Sequence, residues 1–268
     1  MLIVVDGAVD VPDQLADSPM LRTVSGQVWL GDKPFTGSPE QFWALIRKGT
    51  YPSTTPPTVS ALEEAYREPD LVAAVHVSGE LSTTTMRAQE AASRCGGGVV
   101  IVDTRSLSVG AGLIAAAIHR AAEASSGQDS IVDFARSLPD RLHTFALIQD
   151  VEALRRSDRS GLLPKGRLAR SHPLVLAVRG RVVPLEQAKN RSAGVKDLVL
   201  HLGDSTEGDL GAWALGHGDA SDRDSLVDQL TRAFGKPPSF VAFLDPTVGV
   251  HAGPDALIVA AISGAVDV

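Results

Sequence analysis

One cysteine, Cys95, stands in 268 residues, so the chain can form no internal disulfide and no thiolate metal site. That suits a reducing compartment. Aromatic side chains are equally scarce, at 4%, and leave the core to Val, Leu, Ile and Ala, with no base-stacking platform for single-stranded nucleic acid. Positive charge is short as well. Against 32 Asp and Glu there are 25 Lys and Arg, a formal charge of −7, which argues against a solvated nucleic-acid binder. No run approaches the ~18 apolar residues of a membrane span, and no basic region precedes the apolar run Leu2 to Val5. A cytoplasmic protein is expected. The common catalytic signatures are missing too: there is no G-x-S-x-G elbow, H-E-x-x-H helix or C-x-x-C pair. Gly161 to Leu168 has the two glycines of a phosphate loop but Arg167-Leu168 in place of Lys-Ser/Thr, so the phosphate lysine and the magnesium hydroxyl are both lacking. Neither a metal nor a nucleotide cofactor is indicated.

What is present is a globular composition, 44% hydrophobic and 21% charged, in a chain long enough to bury roughly three quarters of its unfolded surface. Leu2 to Val5, Leu71 to Val77, Val99 to Asp103 and Thr144 to Ile148 read as buried strands. Between them fall helices, one opened by Ser38-Pro39-Glu40-Gln41, another by Ser60-Ala61-Leu62-Glu63, another after the polar turn Ser78 to Thr85, and the Ala-rich Leu113 to Ala124. This alternation predicts an α/β layer with a parallel sheet. The pattern changes after about Asp150. A hairpin turns at Arg179-Gly180 between Pro173 and Leu185, and antiparallel strands are expected to dominate from there. Further elements follow at Val195 to Leu200, Ala212 to Gly216, Arg223 to Phe234, Phe240 to Leu244 and Leu257 to Ile262. The expected organisation is an α/β domain over residues 1–150 and an α+β domain over 151–268, with the charged stretch Arg155 to Arg170 as the linker.

Two hydroxyl clusters, Ser53-Thr54-Thr55-Pro56-Pro57-Thr58 and Ser78 to Thr85, each precede a predicted helix at the carboxyl edge of the sheet, where open α/β folds take their ligands. Ser and Thr cap helices everywhere, and capping accounts for part of both clusters. Five hydroxyls in the eight residues from Ser78 to Thr85 exceed what one cap uses. Helix-start amides together with hydroxyl donors make a neutral cradle for an acid ligand, a carboxylate or a phosphate.

At this point the residues carry a resemblance. Asp6-Gly7-Ala8-Val9-Asp10-Val11-Pro12, Ser53-Thr54-Thr55-Pro56, His76 to Thr84, Val102 to Gly110 and Val250-His251-Ala252-Gly253-Pro254 resemble, in order and spacing, five blocks of the bacterial DegV family. The resemblance implies a protein that binds a long-chain fatty acid in an apolar tunnel and is not itself an enzyme. It implies also that the bound carboxylate is presented to a separate ATP-using fatty-acid kinase subunit, which makes the acyl phosphate. A transient peripheral contact with a membrane is compatible with that role. By the family's motifs Ser82 grips the carboxylate, Ser53 assists it, Thr54 and Thr83 adjoin them, and His251 lies near the same carboxyl group. Arg159, Lys189 and Arg191 match basic positions that face the partner or its phosphate; for Lys189 and Arg191 an ordinary solvated face is the competing reading. The chain departs from the family at Gly7-Ala8, which lacks the opening hydroxyls, at Thr83 in place of a glycine, and at Asp255 in place of another. The alternative from a different class is a serine hydrolase with Ser82 as nucleophile, His251 as base and Asp103 as orienter.

Overall fold

A computed structural model describes residues 1–67, 70–124, 127–156 and 173–268. The first layer is a four-stranded parallel sheet in the order β2-β1-β6-β7, built from β1 (Leu2–Asp6), β2 (Leu21–Val24), β6 (Val72–His76) and β7 (Val99–Asp103). Every residue of β1 and β6 is buried, because helices cover both faces of these central strands. On one face Val4, Val72 and Ala74 pack with Leu62, Ala65 and Tyr66 of α3 (Val59–Tyr66) and with Ala88 and Ala91 of α4 (Thr84–Arg94). On the other, Ile3, Val5, Ala73 and Val75 join a core that contains α5 (Ser108–Glu123). Residues 108–118 of α5 are all buried, since this helix is wedged between the first sheet and the second. Small side chains make that possible: a Cβ at Gly112 would stand 1.9 Å from the Asp10 carbonyl oxygen.

The second layer is a six-stranded sheet in the order β10-β9-β8-β13-β11-β12. It comprises β8 (Leu142–Ile148), β9 (Leu174–Arg179), β10 (Arg181–Gln187), β11 (Leu210–His217), β12 (Phe240–Phe243) and β13 (Leu257–Ser263), antiparallel except for the β11/β12 pair. Alternation divides its faces. Phe145, Leu147, Val175, Trp213 and Val259 pack with α8 (Arg191–Ser205) and α9 (Arg223–Phe234), while Ala146, Ile148, Leu176 and Ile258 point the opposite way, toward the first layer. The hairpin turns at Gly180, whose φ of +79° is available to glycine at little cost, and Pro184 is tolerated because β10 is an edge strand with a bulge at that point.

Several expectations are corrected. Thr144 to Ile148 pairs antiparallel with both β13 and β9, so this strand belongs to the second sheet rather than extending the first. The element at Val195 to Leu200, expected without a type, is part of helix α8. Helix α3 is capped by Thr58, whose hydroxyl accepts the Ala61 N–H, two residues before the expected Ser60. The box at Ser38 and Gln41 forms as read, opening α2 (Pro39–Arg47). Unforeseen elements include strand β2 of the first sheet, the amphipathic α6 (Gln128–Arg141), which buries Ile131, Ala135 and Leu138, and a small antiparallel sheet of β3 (Gln27–Leu30), β4 (Lys33–Pro34) and β5 (Ser53–Thr55). Of the expected linker, Arg155 and Arg156 close α7 (Val151–Arg156), and the remainder lies outside the described residues.

Candidate functional site

A cavity of about 340 Å³ lies where the carboxyl ends of β1 and β6 meet the inner face of the second sheet. Its apolar wall comes from Ala146, Ile148, Leu176, Val178 and Ile258 on the sheet, with Leu107 before α5, Leu154 of α7 and Val248 and Ala252 of α10 (Pro246–Ala252). Its polar lining residues are Asp6, Thr54, Thr55, Ser82, Thr83, Thr84, Thr247 and His251. Residues nearly two hundred positions apart meet there: the Thr54 hydroxyl and His251 Nε2 are 3.3 Å apart.

Local sequence explains how each group is aimed. After β6 the loop turns through Ser78, where the Leu81 and Ser82 N–H groups donate to the Ser78 carbonyl, and α4 starts without a side-chain cap on its N-cap residue Thr83. Ser82 Oγ accepts the Thr84 N–H at 3.2 Å and bonds the Thr84 hydroxyl at 2.8 Å. Hydroxyls and the positive end of an eleven-residue helix therefore converge on the cavity, a donor set suited to an anionic head group. Asp245 anchors the helix that carries His251. Its carboxylate caps α10 by accepting the Thr247 N–H at 2.8 Å, and α10 carries His251 into the site.

Sequence reasoning gave no role to the chain of buried polar groups behind the cavity. The Asp6 carboxylate accepts the Ala8 N–H at 2.8 Å and the Val77 N–H at 3.0 Å, and His76 Nδ1 lies 3.0 Å from it. His76 Nε2 is 2.7 Å from the hydroxyl of Tyr66, whose pKa is pushed up mainly by burial and further by the Asp6 charge. The signal that could have found the chain is an acid and a histidine closing two adjacent buried strands. A second buried acid, Asp10, accepts from the Ser108 hydroxyl and from the Asp245 N–H at 2.9 Å. Burial, opposed by the Ser108 hydrogen bond and reinforced by the Asp245 charge, pushes its pKa up to about 7.

Of the predicted site residues, Thr54, Ser82, Thr83 and His251 are brought together at the cavity. Ser53 is not. It is exposed on β5 opposite Trp29, because strand neighbours alternate in direction and Thr54 takes the inward position. Arg191 is engaged rather than displayed: its guanidinium grips Asp222 at 2.7 and 2.9 Å and donates to the Asp255 carbonyl at 2.6 Å. Lys189 is exposed between β10 and α8, away from the cavity lining, and Arg159 lies outside the described residues. The series needed for a serine nucleophile does not assemble, since the Ser82 hydroxyl bonds Thr84 and the Asp103 carboxylate accepts the Gly79 and Arg105 N–H groups. Among the described residues no group of three His, Cys, Asp or Glu could hold a metal ion, and no helix is long and apolar enough to cross a membrane.

Two covered sheets enclosing a mostly apolar cavity with hydroxyl residues in its lining define an α/β protein built around a small-molecule binding cavity. The chain belongs to the DegV family: the family described as "Uncharacterised protein, DegV family" matches residues 1–264. A DegV domain-containing protein of Mycobacterium tuberculosis is 28% identical over 279 residues, covering 99% of this chain and 98% of the relative. Among solved structures, a fatty-acid-binding DegV family protein from Thermus thermophilus superposes with a TM-score of 0.86 at 23% identity, covering 98% of this chain and 99% of the other. DegV of Bacillus subtilis, described as a fatty acid binding protein, gives a TM-score of 0.84 at 17% identity over 98% and 99% of the two chains.

Proposed function

We propose that this protein binds a long-chain fatty acid in the cavity and presents its carboxylate to a fatty-acid kinase subunit, which uses ATP to form the acyl phosphate. In this reading the protein is a cytoplasmic carrier and not an enzyme by itself. The observation that carries the reading is one cavity whose mostly apolar lining is joined by the hydroxyl residues Thr54 and Ser82 and by His251, with Thr54 and His251 in contact. Each methylene taken from water is worth about 0.8 kcal/mol, so the chain supplies affinity, while the carboxylate requires several donors before it can leave water. Ser82, Thr83 and Thr84, at the start of α4, are those donors, and His251 orients the head group from α10. Ser53 has no part in the cradle. Lys189 remains a candidate contact for the kinase subunit, whereas Arg191 serves α8 and the Asp255 loop. The fatty acid is the only bound group the reading needs. Denaturing mass spectrometry of the purified protein is expected to release a non-covalent long-chain acid, and delipidated protein is expected to take up added palmitate. An empty cavity that also refuses palmitate would overturn the reading.

A further inference from the structure

A second and larger cavity, of about 820 Å³, takes no part in the fatty-acid reading. It lies at the carboxyl ends of β11 and β12, which α9 joins as a parallel βαβ unit, and this is the edge at which open α/β sheets take ligands. His217 and Phe243, the last residues of these strands, both line it, with ring centroids 4.4 Å apart. His217 is 2% exposed, yet its hydrogen bonding is incomplete. The Gly218 carbonyl can only accept, so His217 Nδ1 donates to it, and Nε2 has no partner among the described residues. Burial pushes the His217 pKa down, opposed by the Gly218 carbonyl and reinforced by the Arg223 charge, so the ring is neutral and Nε2 is a bare acceptor. A buried acceptor that the protein leaves unmet calls for a ligand that donates.

The walls around this acceptor are acidic. Asp13, Asp224 and Asp228 are exposed residues of the lining; Asp224 accepts from Arg223 Nε at 2.8 Å, while the Asp13 and Asp228 carboxylates have no partner among the described residues. Asp10 and Asp245 line the cleft as well, but they are committed to Ser108 and to the cap of α10. Val241 and the exposed ring of Phe243 add apolar surface, and the face of an aromatic ring attracts a cation. Among the described residues no three of His, Cys, Asp or Glu are placed to hold a metal ion, so the chemistry suits an organic cation that carries N–H groups. We propose that this cleft binds a small amphipathic ammonium ion: its N–H donates to His217 Nε2, its charge lies among the Asp13, Asp224 and Asp228 carboxylates, and its body rests on Phe243. Such a ligand needs no occupant in the fatty-acid cavity.

The test titrates the full chain at pH 7.5 with phenethylamine, and follows the amide resonances and the imidazole nitrogens by NMR. The comparison probes are 2-phenylethanol, which keeps the ring and loses the charge, phenethyltrimethylammonium, which keeps the charge and loses the N–H, and magnesium chloride. Phenethylamine is expected to give saturable shifts at His217 Nε2 and at the Phe243 amide, with 2-phenylethanol binding about tenfold more weakly or worse. The trimethyl compound is expected to bind more weakly than phenethylamine and to leave the His217 Nε2 resonance in place. In the double variant Asp224→Asn/Asp228→Asn, whose changes lie on the exposed side of α9, affinity for phenethylamine is expected to fall about threefold to tenfold. Four results would each overturn the proposal: no saturation by phenethylamine, equal binding of 2-phenylethanol, unchanged affinity in the double variant, or shifts confined to Ser82 and His251 of the other cavity. A trimethyl compound that binds as well as phenethylamine removes His217 from the site and overturns it too. Displacement of phenethylamine by magnesium at lower concentration would make the cleft a metal site and overturn the assignment of an organic cation.

Discussion

Replacing Asp10 with Asn should stabilise the protein above neutral pH and leave it nearly unchanged at pH 4. Asp10 is buried at the junction of the two layers, where it accepts from the Ser108 hydroxyl and the Asp245 N–H, with the Asp245 and Asp6 carboxylates as neighbours. Its pKa rises from 3.8 to about 7, chiefly through burial. The sign follows from linkage: between these values the folded state holds a proton that the unfolded state has released, so stability falls as pH rises through the window. The whole interval corresponds to a ceiling of roughly 4 kcal/mol, reached above pH 7 and absent below about pH 4. Asn keeps an acceptor for Asp245 and can donate to Ser108, without the charge. Urea unfolding of both proteins at pH 4.5, 6 and 8 measures the difference directly. The expected outcome is a gain of about 2 kcal/mol or more for Asp10→Asn at pH 8, closing toward zero at pH 4.5. Equal pH dependence in the two proteins, or a mutant less stable at pH 8, would refute the argument that an uncompensated carboxylate strains this junction.

At the head group, Ser82→Ala should weaken palmitate binding by about 1 to 3 kcal/mol in titration calorimetry with the fold intact, the usual consequence of leaving a buried acceptor unmet. His251→Ala should lower acyl-phosphate formation with the kinase subunit more than it lowers palmitate affinity, because orienting a carboxyl oxygen requires little of the binding energy; equal losses would make His251 a binding residue only. Filling the apolar wall with Ala146→Phe should shorten the acids recovered by lipid extraction, at about 0.8 kcal/mol for each methylene excluded, and an unchanged chain-length profile would show that Ala146 does not line the acyl path. Arg191→Ala should cost about 1 to 3 kcal/mol in chemical unfolding, more than an ordinary surface ion pair, because its guanidinium makes a bidentate pair and also holds the Asp255 carbonyl.

Where a local pattern decides the structure, the sequence could be read directly. Ser38 and Gln41 form a reciprocal box because both partners lie within one turn, and the short β-branched apolar runs Leu2 to Val5 and Val72 to Val75 read as strands covered on both faces. The choice of sheet for β8 was not visible, since a buried strand presents the same residues to a parallel partner or to an antiparallel one. Pairing with Leu257 to Ile262 is a property of distant residues. At the site, the hydroxyl clusters and His251 were legible by resemblance, while their selection was not: Thr54 faces the cavity and Ser53 faces water because β5 is a strand, and nothing in Ser-Thr-Thr-Pro distinguishes the two. Arg191 has the composition of a free basic position. Only the folded positions of Asp222 and the Asp255 carbonyl reveal it as a tie.

The central place of β13 also bears on the timing of synthesis. Leu257 to Ser263 lies between β8 and β11, so the strands flanking it are made and waiting well before it leaves the ribosome. Synthesis at roughly 5 to 20 residues per second leaves β8 without this neighbour for several seconds, with apolar strand edges open to wrong pairing. The first sheet can form early, since β1, β2, β6 and β7 all precede residue 104. A chain stopped before Leu257 would therefore carry a finished amino-terminal layer joined to a sheet with its middle strand missing. Such a product lacks Ile258 of the cavity wall, so on the fatty-acid reading a bound lipid would mark only molecules whose synthesis has run to the end of β13.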